Sequence, residues 1–175
     1  MDGKESVLVG GGRPLVCTVF TDCRHPWLGR PEAVNRLRAA FRHARARRPF
    51  VIDAAVVLPD RVYTVWRVPE DDPAPGPRWH LIKTHCTRHL RGWPGLPRGR
   101  LWANGYRACR IDPAVWGAWL DWLHYEPVRL GLVPRPGRWP YSSYRRWRAA
   151  GRYPSGWPAS PPVFPESSLN SPAEG

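Results

Sequence analysis

Apolar and polar positions along this chain repeat with two alternating periods, and the alternation sets out a series of elements. Leu15 to Thr21 (LVCTVFT) is a strand rich in β-branched residues. Pro31 to Arg48 carries Val34, Leu37, Phe41 and Ala44 on one helical face. Pro31 and Glu32 suit its first turn, and Arg45, Arg47 and Arg48 its last, before Pro49 stops it. Phe50 to Leu58 and Arg61 to Val68 read as two strands joined by the Pro59-Asp60 turn. A second helix runs from Gly76 to Arg91. Trp79, Ile82, Cys86 and Leu90 form its apolar face, with His80, His85, Arg88 and Arg91 on the opposite arc. Leu101 to Arg107 is a fourth strand, and Asp112 as N-cap with Pro113 behind it opens a third helix to Tyr125. The order β-α-β-β-α-β then α predicts an α+β fold, a ferredoxin-like sandwich of an antiparallel sheet with two helices on one face and an extra C-terminal helix.

Between these elements, Pro69 to Pro77 and Gly92 to Arg100 read as loops. Residues 1–12 read as a flexible N-terminus and 13–157 as the folded domain. From Pro158 to Gly175 the chain lacks basic residues and has almost nothing to bury, which predicts a disordered Pro/Ser-rich tail.

Charge changes the picture next. The 175 residues carry 27 Lys plus Arg against 14 Asp plus Glu, a net +13. Glu166 and Glu174 lie in the tail, so residues 1–157 hold 27 basic against 12 acidic groups, a net +15. A field of this sign attracts polyanions. All the basic residues except Lys4 and Lys83 are arginines, and Ala, Pro, Gly and Trp are abundant too, so GC-rich coding accounts for part of the excess. No apolar run reaches the roughly 18 residues that span a bilayer, and Met1 to Gly12 lacks the pattern of a secretory signal; a cytoplasmic, nucleoid-associated protein with no membrane partner is expected. Cys17, Cys23, Cys86 and Cys109 form no C-x-x-C pair and read as small core residues. His85 and His89, one helical turn apart without a third ligand, read as surface residues, and no metal site is expected.

Five collinear blocks carry a resemblance: CTVFTDCRHPWL, RPFVIDAAVVLPDRVYTVWRVPE, RWHLIKTHCTRHL, LDWLHYEPVRLGLV and WPYSSYRRWRAAGRYPSGW. Together, over Cys17 to Trp157, they resemble the REP-associated tyrosine transposases, within the single-tyrosine branch of the HUH endonucleases and transposases. The resemblance implies two histidines one residue apart on a strand after a Pro-Asp turn, sharing a sheet face and binding Mg or Mn. It implies a tyrosine on a late helix that attacks a phosphate of single-stranded DNA polarised by that metal.

This chain departs from the pattern at those positions. After Leu58-Pro59-Asp60 it has Arg61, Val62 and Tyr63 where the family has His, an apolar residue and His. A guanidinium has no acceptor with which to ligate a metal. Trp122 occupies the tyrosine's position and Glu126 that of a following asparagine. The block Trp102 to Cys109 lacks the acid and histidine that relatives carry there. Trp122 lies about 100° from the centre of the stripe Trp116, Trp119, Leu120 and Leu123, on a flank where it either packs or stacks on a base.

The expectation is therefore a DNA-binding protein of the transposase family, recognising single-stranded or hairpin repeat DNA as monomer or dimer, with strand cleavage lost and no cofactor. Arg78, Lys83, Arg88, Arg91, Arg129, Arg145, Arg146 and Trp147 are the expected DNA contacts. Two alternatives stand beside it: an active strand transferase using a displaced tyrosine, Tyr125 or Tyr63, and a domesticated, non-enzymatic DNA-binding regulator.

Overall fold

A computed structural model of the chain describes Gly12 and residues 14–165. Four strands, β1 (Leu15–Phe20), β2 (Val51–Leu58), β3 (Arg61–Arg67) and β4 (Arg107–Arg110), form one antiparallel sheet in the order β2-β3-β1-β4. The helices are α1 (Pro31–Arg47), α2 (Gly76–Leu90), α3 (Trp116–Arg129) and α4 (Tyr144–Ala149). The strand order and alternation are those of the expected ferredoxin-like sandwich.

Successive strand residues point to opposite faces, and each face buries its own core. On one face Leu15, Cys17, Val19, Val62 and Trp66 pack under Val34 and Leu37 of α1 and Trp79, Ile82, Cys86 and Leu90 of α2. These are the apolar faces that the helical periodicity marks. On the other, Val16, Ala54, Val56, Leu58, Tyr63 and Val65 pack against Trp119, Leu120, Trp122 and Leu123 of α3. The sheet is thus covered on both sides, and the second side holds the candidate site.

Two local features differ from expectation. The fourth strand starts at Arg107 rather than Leu101. Trp102 makes only a single bridge to Thr21, and the chain leaves the ladder in between, where Gly105 takes the left-handed region at φ 65°. Lys83 of α2 holds this excursion by donating to the carbonyls of Ala103 and Gly105. The expected tail from Pro158 divides in two. Residues 158–165 are placed, and Phe164 packs edge-to-face on Trp119 and Trp122 at 5.2 and 5.0 Å, because an aromatic seat on α3 is open to it. The remainder of that tail, 166–175, and residues 1–11 lie outside the described residues.

A bulge in β2 at Asp53 anchors the C-terminal block. The Asp53 carboxylate accepts from Arg67 at 2.7 Å and from the Trp116 indole at 3.1 Å, while its carbonyl accepts from the Trp147 indole at 2.8 Å. Further along β2, Val57 N–H donates to the Tyr141 carbonyl, Ala55 N–H to Ser143 Oγ and Ser143 N–H to the Ala55 carbonyl. The segment from Trp139 to Ser143 therefore covers the edge of the sheet, which an exposed strand would leave open to foreign pairing.

Candidate nucleic-acid interface

Arg61, Tyr63 and Trp122 converge, as they must if β3 and α3 hold one site. Arg61 and Tyr63 are two residues apart on β3 and share its α3-facing side, and the Arg61 guanidinium donates to the Tyr63 hydroxyl at 3.4 Å. The Tyr63 ring meets Trp122 edge-to-face, with centroids 5.3 Å apart. Tyr63 and Trp122 are each only 9 % exposed, so their rings are committed to one another, and Trp122 also to Phe164.

Around this aromatic floor lies a ring of guanidinium groups. Phe20, at the end of β1, pairs with Arg61 in register, and Arg24, Arg61 and Arg107 lie 3.8, 5.8 and 5.4 Å from its ring centroid. Cys23 and Arg24 both adopt left-handed backbone, φ 48° and 57°, in the turn that folds Arg24 back over Phe20. Arg129, one turn beyond Glu126 on α3, lies 5.9 Å over Trp122.

The two carboxylates of the cleft are already engaged. Asp60 accepts two bonds from Arg61, both 2.9 Å, and one from Arg24 at 3.1 Å. Burial opposes its charge, but Arg61 and Arg24 outweigh burial and hold its carboxyl below the usual range. The same hydrogen bond to Asp60 raises the Arg61 guanidinium further above its ordinary value. Glu126 is 0 % exposed and paired with Arg129. With Arg24, Arg61, Arg107 and Arg129 against Asp60 and Glu126, the cleft keeps a net positive charge.

These donors do not fit a divalent metal. A metal needs free lone pairs. The cleft offers two guanidinium-saturated carboxylates and a phenol that accepts from Arg61. Among the described residues no group of three His, Cys, Asp or Glu side chains is placed to hold a metal ion. The rings of His85 and His89 stack at 4.1 Å, and that of His43 lies tilted 4.2 Å from His85.

No family model matches the chain. It is 33 % identical over 121 residues to the REP-associated tyrosine transposase of Escherichia coli K12, covering 69 % of this chain and 70 % of that protein. The chain belongs to the REP-associated tyrosine transposase family. A Haemophilus influenzae protein described in the same family is 30 % identical over 164 residues, covering 86 % of this chain and 90 % of the other. The fold is also similar to a solved REP-associated tyrosine transposase bound to a REP hairpin, with TM-score 0.76 and 29 % identity over 88 % of this chain and 90 % of that one.

Within this family fold the remaining candidate residues divide. Arg78 is not a phosphate contact. It is 0 % exposed, and its two terminal amino groups donate to the carbonyls of Pro49, Asp72 and Ala74 and to the Asp72 carboxylate, so it closes the loop before α2. Arg146 donates to the carbonyls of Ile52 and Asp53, and Trp147 packs on Trp116 while bonding the Asp53 carbonyl. Both fasten α4 to β2. Lys83 holds the 103–105 excursion, and burial lowers the pKa of its ammonium.

Arg88 on α2 and Arg91 just past its end are exposed and, with Lys83, line a shallow basic hollow. Arg129 sits in the cleft, and Arg145 is exposed on α4. Tyr125 lines a different concavity, formed with residues 134–138 and 155–161. Phe20, Arg24 and Arg107 are site residues that sequence reasoning missed. Arg107 faces the cleft only through its register opposite Thr18, and that pairing depends on the 103–106 excursion.

Proposed function

We propose that this protein holds hairpin DNA as its structural relative does, through a guanidinium cleft that has replaced metal- and tyrosine-dependent cutting. The observation that carries the reading is the Arg61–Tyr63–Trp122 contact. At the positions where the resemblance implies two metal ligands and a nucleophile stand an ion-paired arginine, a buried phenol and an indole.

An indole has no oxygen with which to attack phosphorus, and a guanidinium has no lone pair for a metal. What the cleft retains is the ability to bind an anion. Exposed Arg24, Arg107 and Arg129 donate N–H groups in the planar forks that match phosphate oxygens. Fixed by Asp60, Arg61 supplies charge from the floor, and the Phe20 ring supports the cations above it. A strand laid here is held by its backbone.

The test is a native gel shift with hairpin oligonucleotides drawn from the protein's own genomic repeats, in EDTA and in Mg or Mn. Binding is expected to persist in EDTA, to gain nothing from the cation, and to fall steeply with salt. Binding that requires the divalent ion overturns the loss of the metal site, and absence of any salt-sensitive shift overturns DNA binding itself.

A further inference from the structure

β4 is an edge strand of four residues, and Arg107, one of the cations of the cleft, is the first of them. It pairs on one side only, with β1, so its placement rests heavily on the segment that leads into it. Opposite Thr18, Arg107 lies on the α3 side of the sheet with its guanidinium 5.4 Å from the Phe20 ring centroid. A slip of one residue would turn it to the other face.

The excursion at 103–106 sets that entry. Its first anchor is the Ala103 N–H, which donates to the Phe20 carbonyl at 2.9 Å. Its second comes from the opposite side of the sheet, where the Lys83 ammonium of α2 donates to the carbonyls of Ala103 and Gly105. With Gly105 at φ 65°, these two carbonyls meet at one nitrogen. The Tyr106 ring then sits against Gly76 at the start of α2, where a Cβ would come within 3.2 Å of it.

The residue type fits this task. Lys83 is the one lysine among the described residues, where every other Lys or Arg position is an arginine. An ammonium presents its donors from a single atom and satisfies two carbonyls that converge on it, whereas a guanidinium spreads its donors over a rigid plane. Two of the three Lys83 N–H groups are committed to the chain's own backbone.

We infer that Lys83 is a positioning residue for the cleft. From the far side of the sheet it fixes the 103–106 excursion, so that Arg107 enters β4 in the register that aims it at a phosphate, and it touches no DNA itself. The inference rests on the DNA-binding reading above and replaces the expectation that Lys83 is a DNA contact.

The test is a double-mutant cycle in hairpin binding, with Lys83→Met, Lys83→Arg and Arg107→Ala singly and each Lys83 change combined with Arg107→Ala. Every single variant is expected to weaken binding about tenfold and to lower the slope of log affinity against log salt by about 0.7 to 0.9. Neither combination should bind more weakly than Arg107→Ala alone. Lys83→Arg separates positioning from contact, because it keeps the charge and a phosphate contact would survive it. In the free protein, hydrogen exchange at the amides of 103–107 should be about tenfold faster in both Lys83 variants and unchanged in Arg107→Ala. If Lys83→Met does not fold, the Lys83→Arg cycle decides alone. Losses that add, a Lys83→Arg protein that binds as wild type, or unchanged exchange at 103–107 overturns the inference. Wild type that binds no hairpin overturns the proposed function and this inference with it; wild type that binds while the losses add overturns this inference alone.

Discussion

His124 ties α3 to the C-terminal block, and its burial makes the fold acid-sensitive in a calculable way. Its Nδ1 lies 2.8 Å from the Tyr153 hydroxyl and its Nε2 2.8 Å from Ser143 Oγ, which also accepts the Ala55 N–H of β2. The neutral imidazole has one donor and one acceptor nitrogen, and two hydroxyls satisfy both. Burial, reinforced by Arg152 and Arg146, pushes its pKa down to about 3. The unfolded chain binds the proton at about 6.5, so the unfolded state holds more protons at every pH between these values and stability falls as pH drops below 6.5. Each unit costs about 1.4 kcal/mol, which gives roughly 2 kcal/mol at pH 5. Urea unfolding at pH 8, 6.5 and 5 measures it: with a slope near 2 kcal/mol per molar, the midpoint should fall by about 1 M between pH 8 and 5. In His124→Gln the fall should shrink to the small share left by His43 and His85, whose pKa values burial and neighbouring cations also lower. An unchanged wild-type midpoint, or an equal fall in His124→Gln, would refute the reasoning.

Other outcomes follow from particular contacts. Trp122→Ala removes the ring that Tyr63, Trp119 and Phe164 pack against, and calorimetry should show a loss of about 3 kcal/mol; a loss below about 1 would mean the ring is not part of the core. Arg107→Ala should leave stability unchanged, weaken hairpin binding and lower the slope of log affinity against log salt by about 0.7 to 0.9, as loss of one phosphate contact requires. Burial drives the Cys17 and Cys86 thiols up to about 12, so a thiol reagent should label exposed Cys23 in the native protein and reach Cys17 and Cys86 only on unfolding.

Much of this was legible in the chain. Strand alternation at Val62, Trp66, Tyr63 and Val65 assigns each residue to a sheet face, and the Pro59-Asp60 turn fixes the hairpin register that puts Arg61 and Tyr63 on the α3 side. The fate of each arginine was not legible. Arg78 and Arg88 both lie on α2 and look alike in sequence, but one is consumed by carbonyls from residues 49, 72 and 74 and the other is exposed. The block from Trp139 to Trp147 has the aromatic and basic composition of a nucleic-acid surface. Its indoles and Arg146 instead bond carbonyls of β2, because β2 is the edge strand and its carbonyls at 53 and 57 have no further strand to pair with. Arg24 reaches the cleft through two consecutive left-handed residues, neither of them glycine, which no turn signature announces.

The central claim is that the cleft binds the strand without joining to it. A hairpin oligonucleotide with an unpaired extension, saturated with protein in Mn, should be split between a native and a denaturing gel. The account predicts a full shift in the first and no covalent protein-DNA band in the second. A covalent band that disappears in Tyr63→Phe or Tyr125→Phe would contradict it, and would place the lost nucleophile on a neighbouring tyrosine.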